Sequence, residues 1–317
     1  MKSGYISPIY KLSLTDPSTV PAKISYSQFA MHEKCPKQWE LSYIKKLAPF
    51  THSINTIFGT AFHETLQEYL TTMYTKSVNE ANDLDLPKML TENMKTEYFK
   101  GVTENNGVHF STPAELEEFL SDGISILNWF IKRRSQYFST KQHELIGIEV
   151  QLCIPASDIN PSVYWYGFID VVIKDIKNNR INIIDIKTST TGWNKYQKAD
   201  KLKAAQLVSY KNFYSKQFGY PKDNIDIEFF VVKRKIQVDS MFPQHRIQQI
   251  FPASGKITQK QVQQQIDKFI SMCFDLDGNK NESRTYMPIA GKGANNCKWC
   301  PFKTDYENCP KENRIRE

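Results

Sequence analysis

Two runs rich in Ile, Val and aromatic residues, VYWYGFIDVVIK (163–174) and RINIIDIKT (180–188), carry Asp170 in the first and Asp185 and Lys187 in the second. Paired as a hairpin turning near Lys177 and Asn178, they place Asp170 directly opposite Asp185, with Cβ atoms about 4.5–5.5 Å apart. Side chains alternate faces along a strand, so Lys187, two residues beyond Asp185, shares that face. Two carboxylates among apolar neighbours are costly unless a positive charge neutralises them, and a hard cation such as Mg²⁺ or Mn²⁺ does so through oxygen ligands. A metal held there can polarise a phosphoryl oxygen and acidify water, while an ammonium orients hydroxide and offsets transition-state charge, which is the chemistry of phosphodiester hydrolysis. The same three residues also suit an ordinary ion-pair cluster on an exposed sheet face.

Further residues narrow the choice. G-F-I-D170 followed by I-I-D185-I-K187 resembles the signature of the PD-(D/E)xK nuclease superfamily, and its RecB-like branch is suggested by three more matches. Gly59-Thr-Ala-Phe-His63 resembles the G-x-x-x-H element, Gln206-Leu-Val-Ser-Tyr210 the Q-x-x-x-Y element, and Ser27-Gln-Phe through Cys35-Pro36 the N-terminal helix of that branch. The chain departs from the name in having Ile169 rather than Pro before the first acid and Asp185 rather than Glu as the second. The resemblance implies metal binding by His63, Asp170, Asp185 and the carbonyl of Ile186, catalysis by Asp170, Asp185 and Lys187, and a neighbouring acidic position at Glu149. Without the family, a lone histidine beside an apolar stripe reads as a core residue. Gln206 and Tyr210 lie one helical turn apart and face one way, which suits contact with a phosphate or a metal-bound water, or plain packing by the tyrosine.

Six cysteines in a chain without a signal-peptide pattern read as thiols rather than disulfides. Cys297-Lys-Trp-Cys300 with Cys309 supplies three thiolates, two of them at the C-x₂-C spacing that grips a metal centre from a tight turn. Nucleases of the AddB and CRISPR-adaptation kinds, which the chain resembles here, add one N-terminal cysteine to three C-terminal ones around a [4Fe-4S] cluster; the resemblance makes Cys35 the fourth ligand. Four thiolates also suit structural Zn²⁺. Cys153, on a strand, and Cys273, on a helix near Phe269, read as small core residues.

The elements that position these residues follow from local pattern. Ser25 and Gln28 have capping-box spacing and predict a helix through Trp39 and Tyr43. Phe58, Phe62, Leu66 and Leu70 make one buried stripe beside His63. Residues 76–111 are polar and irregularly patterned, and Thr112-Pro-Ala-Glu115 starts another helix. Three strands begin near Leu145, Val163 and Arg180, a helix runs from Asp200 to Phe218 and ends at Gly219, a fourth strand covers 225–233, and Val262, Ile266, Phe269 and Ile270 line a last helix. The expected fold is α/β: a restriction-endonuclease-like mixed sheet flanked by helices. Its parts are an N-terminal arm (1–24), N-terminal helices and a helical insertion (25–139), a nuclease core (140–240), and a C-terminal helix and cysteine segment (241–317) packing back on Cys35.

With 40% apolar residues over 317 positions the chain has ample material for a core, and it has no apolar stretch long enough for a membrane span. The expected location is cytoplasmic, a host cytoplasm if the source is viral. A formal charge of +7 favours polyanions. Lys132-Arg-Arg134, Lys198 to Lys203 and Lys233-Arg-Lys235 can track a nucleic-acid backbone, with Trp193 or Tyr196 available to stack on bases; each run alone also reads as a solvated face. The resemblance implies a DNA exonuclease acting on single strands or duplex ends in recombination, repair or DNA processing, alongside a helicase or recombination protein. The competing readings are a structure-specific or RNA endonuclease and a catalytically silent nucleic-acid-binding subunit.

Overall fold

A computed structural model describes residues 5–7, 14–49, 52–237, 241–242 and 244–315. In chain order the first half holds β1 (Ala22–Ile24), α1 (Tyr26–Lys34), α2 (Pro36–Trp39), α3 (Ile54–Thr75), α4 (Val78–Asn82), α5 (Leu86–Glu104) and α6 (Pro113–Ile131). The second half holds β2 (His143–Pro155), β3 (Val163–Asp175), β4 (Arg180–Ser189), α7 (Lys195–Lys198), α8 (Lys201–Phe218), β5 (Ile225–Lys233), β6 (Ile247–Ile250) and α9 (Lys256–Cys273). The six strands form a mixed sheet in the order β1-β3-β4-β5-β6, with β2 on β3, flanked by helices; this is the α/β class the sequence predicts. No described helix is long and apolar enough to cross a membrane.

The described chain divides into two compact units, and the first comprises residues 1–13, 51–150 and 168–253. Its centre is the β3–β4 hairpin, in which Val171 pairs with Ile184, Ile173 with Asn182 and Asp175 with Arg180. That register, continued one step, sets Asp170 opposite Asp185. β4 pairs in parallel with β5, which is reached through α8, and Asp185 lies beside Phe229 and Lys187 beside Val231. α8 stops at Gly219, whose φ of +69° is the left-handed conformation that ends helices and that a side chain resists. α3 begins at a capping box formed by Ser53 and Thr56, and buries Phe58, Phe62, Leu66 and Leu70 in a core with Phe119, Leu127 and Phe130 of α6 and Val171, Ile184 and Ile186 of the sheet. The Thr112–Glu115 capping box forms as expected.

Residues 76–111 differ from their irregular expectation. α5 occupies most of the segment because Asp85 caps it, Pro87 sits in its first turn, and Leu86, Leu90, Met94 and Tyr98 recur every fourth residue as a buried stripe.

The second unit comprises residues 14–50, 151–167 and 254–317. β1 pairs in parallel with the start of β3, Ala22 opposite Val163. The single helix expected through Tyr43 is broken at Cys35, because Pro36 has no N–H to continue the ladder; Cys35 ends α1 and caps α2, and a π-helical turn (Glu40–Ile44) follows. Ser25 accepts the Gln28 amide at 3.3 Å, whereas the Gln28 side chain bonds Lys23 O, so only half of the capping box forms. Phe269 of α9 packs against Phe29, His32 and Trp39 with ring centroids 6.2, 4.8 and 5.6 Å away. Cys153 and Cys273 are buried, as expected of core residues.

Candidate active site

β3, β4, α3 and α8 bring seven of the sequence-predicted residues together in the first unit, His63, Asp170, Asp185, Ile186, Lys187, Gln206 and Tyr210. Asp170 Oδ2 accepts the Ile186 amide at 2.7 Å and lies 3.6 Å from His63 Nδ1. Asp185 Oδ2, buried, pairs with Lys187 Nζ at 2.7 Å. Asp185 Oδ1 accepts Gln206 Nε2 at 3.0 Å, and the same amide nitrogen donates to Tyr210 Oη at 3.2 Å. The one-turn spacing of Gln206 and Tyr210 thus points both at Asp185.

Electrostatics follow from burial. Desolvation pushes Asp170 up to about 7, with Lys187 pulling it down and Glu149 pushing it up. Burial likewise raises Asp185 to about 6, against the pull of Lys187. Burial would lower Lys187, but Asp185 and Asp170 outweigh it and hold the ammonium above its ordinary value. His63 is driven down to about 4 by burial and then by Lys187, which leaves a neutral imidazole at physiological pH. Tyr210 is raised by burial and by the nearby carboxylates, so its hydroxyl stays protonated.

Glu149 joins this group through a feature the sequence hides. It sits within β2 at a φ of +51°, a left-handed backbone that costs a non-glycine residue free energy and that persists only where surroundings enforce it. Gln67, buried on α3 one turn beyond His63, donates its side-chain amide to Glu149 Oε1 at 2.7 Å and to Asp170 O at 3.3 Å. Sequence reasoning missed Gln67. The signal was its i+4 spacing from His63, which places both on one helical face.

The donor set suits a hard divalent cation. It offers carboxylate oxygens, an amide carbonyl and a neutral imidazole, and two of its carboxylates are destabilised as anions by burial. As described, Ile186 N–H, Gln206 and Lys187 occupy the carboxylate oxygens, and no three His, Cys, Asp or Glu side chains among the described residues close on a single point.

In the second unit Cys35, Cys297, Cys300 and Cys309 line one small cavity of about 20 Å³, bounded also by Leu41, Ile289 and Phe302. The Ile289 amide donates to Cys35 Sγ at 3.3 Å, and the amides of Gln38 and Lys37 at the start of α2 also face that sulfur. The Phe302 amide faces Cys300, whose thiol is raised by burial and by the three other cysteines. Backbone N–H groups aimed at sulfur stabilise metal-bound thiolates.

Parts of two basic runs are already engaged. Arg234 and Lys235 pair with Asp122 and Glu118 of α6, and the Arg133 guanidinium lies over the Trp129 ring. No curated protein matches the sequence. The family described as the PD-(D/E)XK nuclease superfamily matches residues 23–304, nearly the whole chain and including every residue of the Asp170–Asp185–Lys187 cluster. The chain therefore belongs to the PD-(D/E)XK nuclease superfamily.

Proposed function

We propose that the protein is a Mg²⁺- or Mn²⁺-dependent deoxyribonuclease of the RecB-like kind, hydrolysing DNA from single-stranded or duplex ends. The observation that carries this reading is the convergence of Asp170, Asp185 and Lys187 on one face of the β3–β4 hairpin, with His63 3.6 Å from Asp170. Asp170, Asp185, His63 and the Ile186 carbonyl would hold the metal, with Glu149 alongside. The cation would supply a Lewis acid at the phosphoryl oxygen and acidify water. Lys187 would hold the attacking oxygen and offset the negative charge of the pentavalent transition state as the phosphorus–oxygen ester bond breaks. Gln206 orients Asp185, Tyr210 braces Gln206 by accepting its side-chain N–H, and Gln67 holds the Glu149 carboxylate.

The four cysteines would hold a structural [4Fe-4S] cluster. The amides directed at Cys35 and Cys300 suit metal-bound thiolates, and the resemblance in cysteine spacing favours the cluster over zinc. Visible absorption of anaerobically purified protein decides, since zinc thiolates are colourless.

The test is incubation with end-labelled linear DNA, closed circular DNA and RNA in either metal. Loss of linear DNA with circles and RNA spared supports the exonuclease. Cleavage of circles or of RNA replaces it with an endonuclease, and binding without cleavage of any substrate replaces it with a silent binding subunit.

A further inference from the structure

The stripe of α8 that carries Tyr210 and Gln206 continues one turn toward the helix start to Lys203, at i−3 from Gln206. Lys203 Nζ lies 4.6 Å from the centre of the Trp193 ring. Trp193 is itself fixed: its ring packs on Phe229 at 4.9 Å, its N–H donates to Gln248 Oε1 at 2.9 Å, and its carbonyl accepts Gln248 Nε2 at 3.3 Å. Just beyond it, Asn194 caps the short α7 turn with a capping box, which presents Lys195, Tyr196 and Lys198 on a defined backbone. Tyr196 is 74% exposed, with Lys195 Nζ 5.1 Å from the centre of its ring.

Lys233, at the end of β5, completes the surface. It pairs in register with Ser189, two residues past Lys187, and a Cβ added at Gly192 (φ +91°) would meet its side chain at 2.9 Å. Only glycine lets the loop pass this close. Burial and then Lys198 lower the Lys233 ammonium, so the two charges feel each other. Among the described residues, Lys195, Lys198, Lys203 and Lys233 have no carboxylate ion pair, in contrast to Arg234 and Lys235 next to them. Asp200, the nearest acid in sequence, is turned to the Leu202 and Lys203 amides.

Lysines without a carboxylate partner around the exposed Tyr196 ring and the packed Trp193 ring, at the end of the strand that carries Asp185 and Lys187, have the composition that recognises one strand: phosphates on ammonium groups and a base on a ring face. We propose that α7, Lys203 and Lys233 form a single-strand binding surface beside the catalytic cluster, with Tyr196 stacking on an unpaired base. The proposal rests on the nuclease reading for its direction, and gives that site a preference for single-stranded ends over fully paired ones.

Fluorescence anisotropy with labelled single-stranded and blunt duplex oligonucleotides in the Lys187→Ala background measures binding without cleavage. Tyr196→Ala should weaken single-strand binding by about fivefold or more, since stacking on one base is worth roughly 1–3 kcal/mol, and leave blunt duplex binding unchanged. Tyr196→Phe should restore it. Lys198→Ala should lower the slope of log affinity against log salt by about 0.7. Tyr196 is on the surface, so these variants fold. Unchanged single-strand affinity in Tyr196→Ala, equal loss on both substrates, or no binding by the parent would each overturn the proposal. Tyr196-dependent binding beside a wild type that cleaves nothing would sink the nuclease reading and leave this surface standing; cleavage with Tyr196-independent binding would do the reverse.

Discussion

Asp170→Asn isolates the cost of burying a carboxylate where a metal is expected. The Asp170 side chain is 14% exposed, and burial raises it from 3.8 to about 7 in the absence of metal. Because the folded value lies above the unfolded one, the stabilising contribution is fully present below about 3.8 and is lost as pH rises through about 7. The interval from 3.8 to about 7, at about 1.4 kcal/mol per pH unit, amounts to about 4 kcal/mol at pH 8. Asparagine keeps the oxygen that accepts the Ile186 N–H and removes the charge. The metal-free variant should therefore match wild type near pH 4 and exceed it at pH 8 by on the order of 8 °C in Tm, at about 2 °C or more per kcal/mol for a chain of this size. Thermal melts in chelator at the two pH values measure this. Added Mn²⁺ at pH 8 should raise the wild-type Tm and close the gap, because binding to the folded state alone stabilises it. A Tm difference that is the same at both pH values, or a wild type indifferent to Mn²⁺ at pH 8, would refute the reasoning.

Gln67→Ala removes the donor that holds Glu149 and should lower cleavage roughly 10- to 100-fold, measured as kcat on labelled DNA with oligonucleotide affinity unchanged. At limiting metal, cleavage rate against pH should fall as pH drops through about 7 and then 6, the values of Asp170 and Asp185; His63, near 4, adds no limb in that range. Cys35→Ser should bleach the visible absorption of the purified protein and lower its Tm in calorimetry, since this sulfur collects three backbone amides at the break between α1 and α2.

The placement of the candidate site residues was legible in sequence because they lie on regular elements. A hairpin fixes register once its turn is located, so Asp170, Asp185 and Lys187 could be placed on one face from alternation alone. A helix fixes Gln206 against Tyr210 in the same way. What stayed hidden depends on long-range packing or on unusual backbone. The stripe of α5 was masked by the polar residues between Leu86, Leu90, Met94 and Tyr98, and only the apolar face of α3 against it makes it a helix of the core. β6, with sequence IQQI, lacks alternation and exists because β5 offers it an edge. No sequence pattern announces that Glu149 adopts a left-handed backbone, or that Gln67 donates to its carboxylate. Of the basic runs, composition alone could not separate Arg234 and Lys235, neutralised by Asp122 and Glu118, from the unpaired lysines around Tyr196.

Asp170, Asp185 and Lys187 are proposed to hydrolyse phosphodiester bonds with a divalent cation. The most direct measurement compares wild type with Lys187→Ala on end-labelled linear DNA, with Mn²⁺ or with chelator. The account predicts release of label by wild type with metal only, and a loss of at least about 100-fold in Lys187→Ala, because that ammonium is the group placed to meet the transition-state charge. Equal cleavage by both proteins, or cleavage by wild type in chelator, would contradict it.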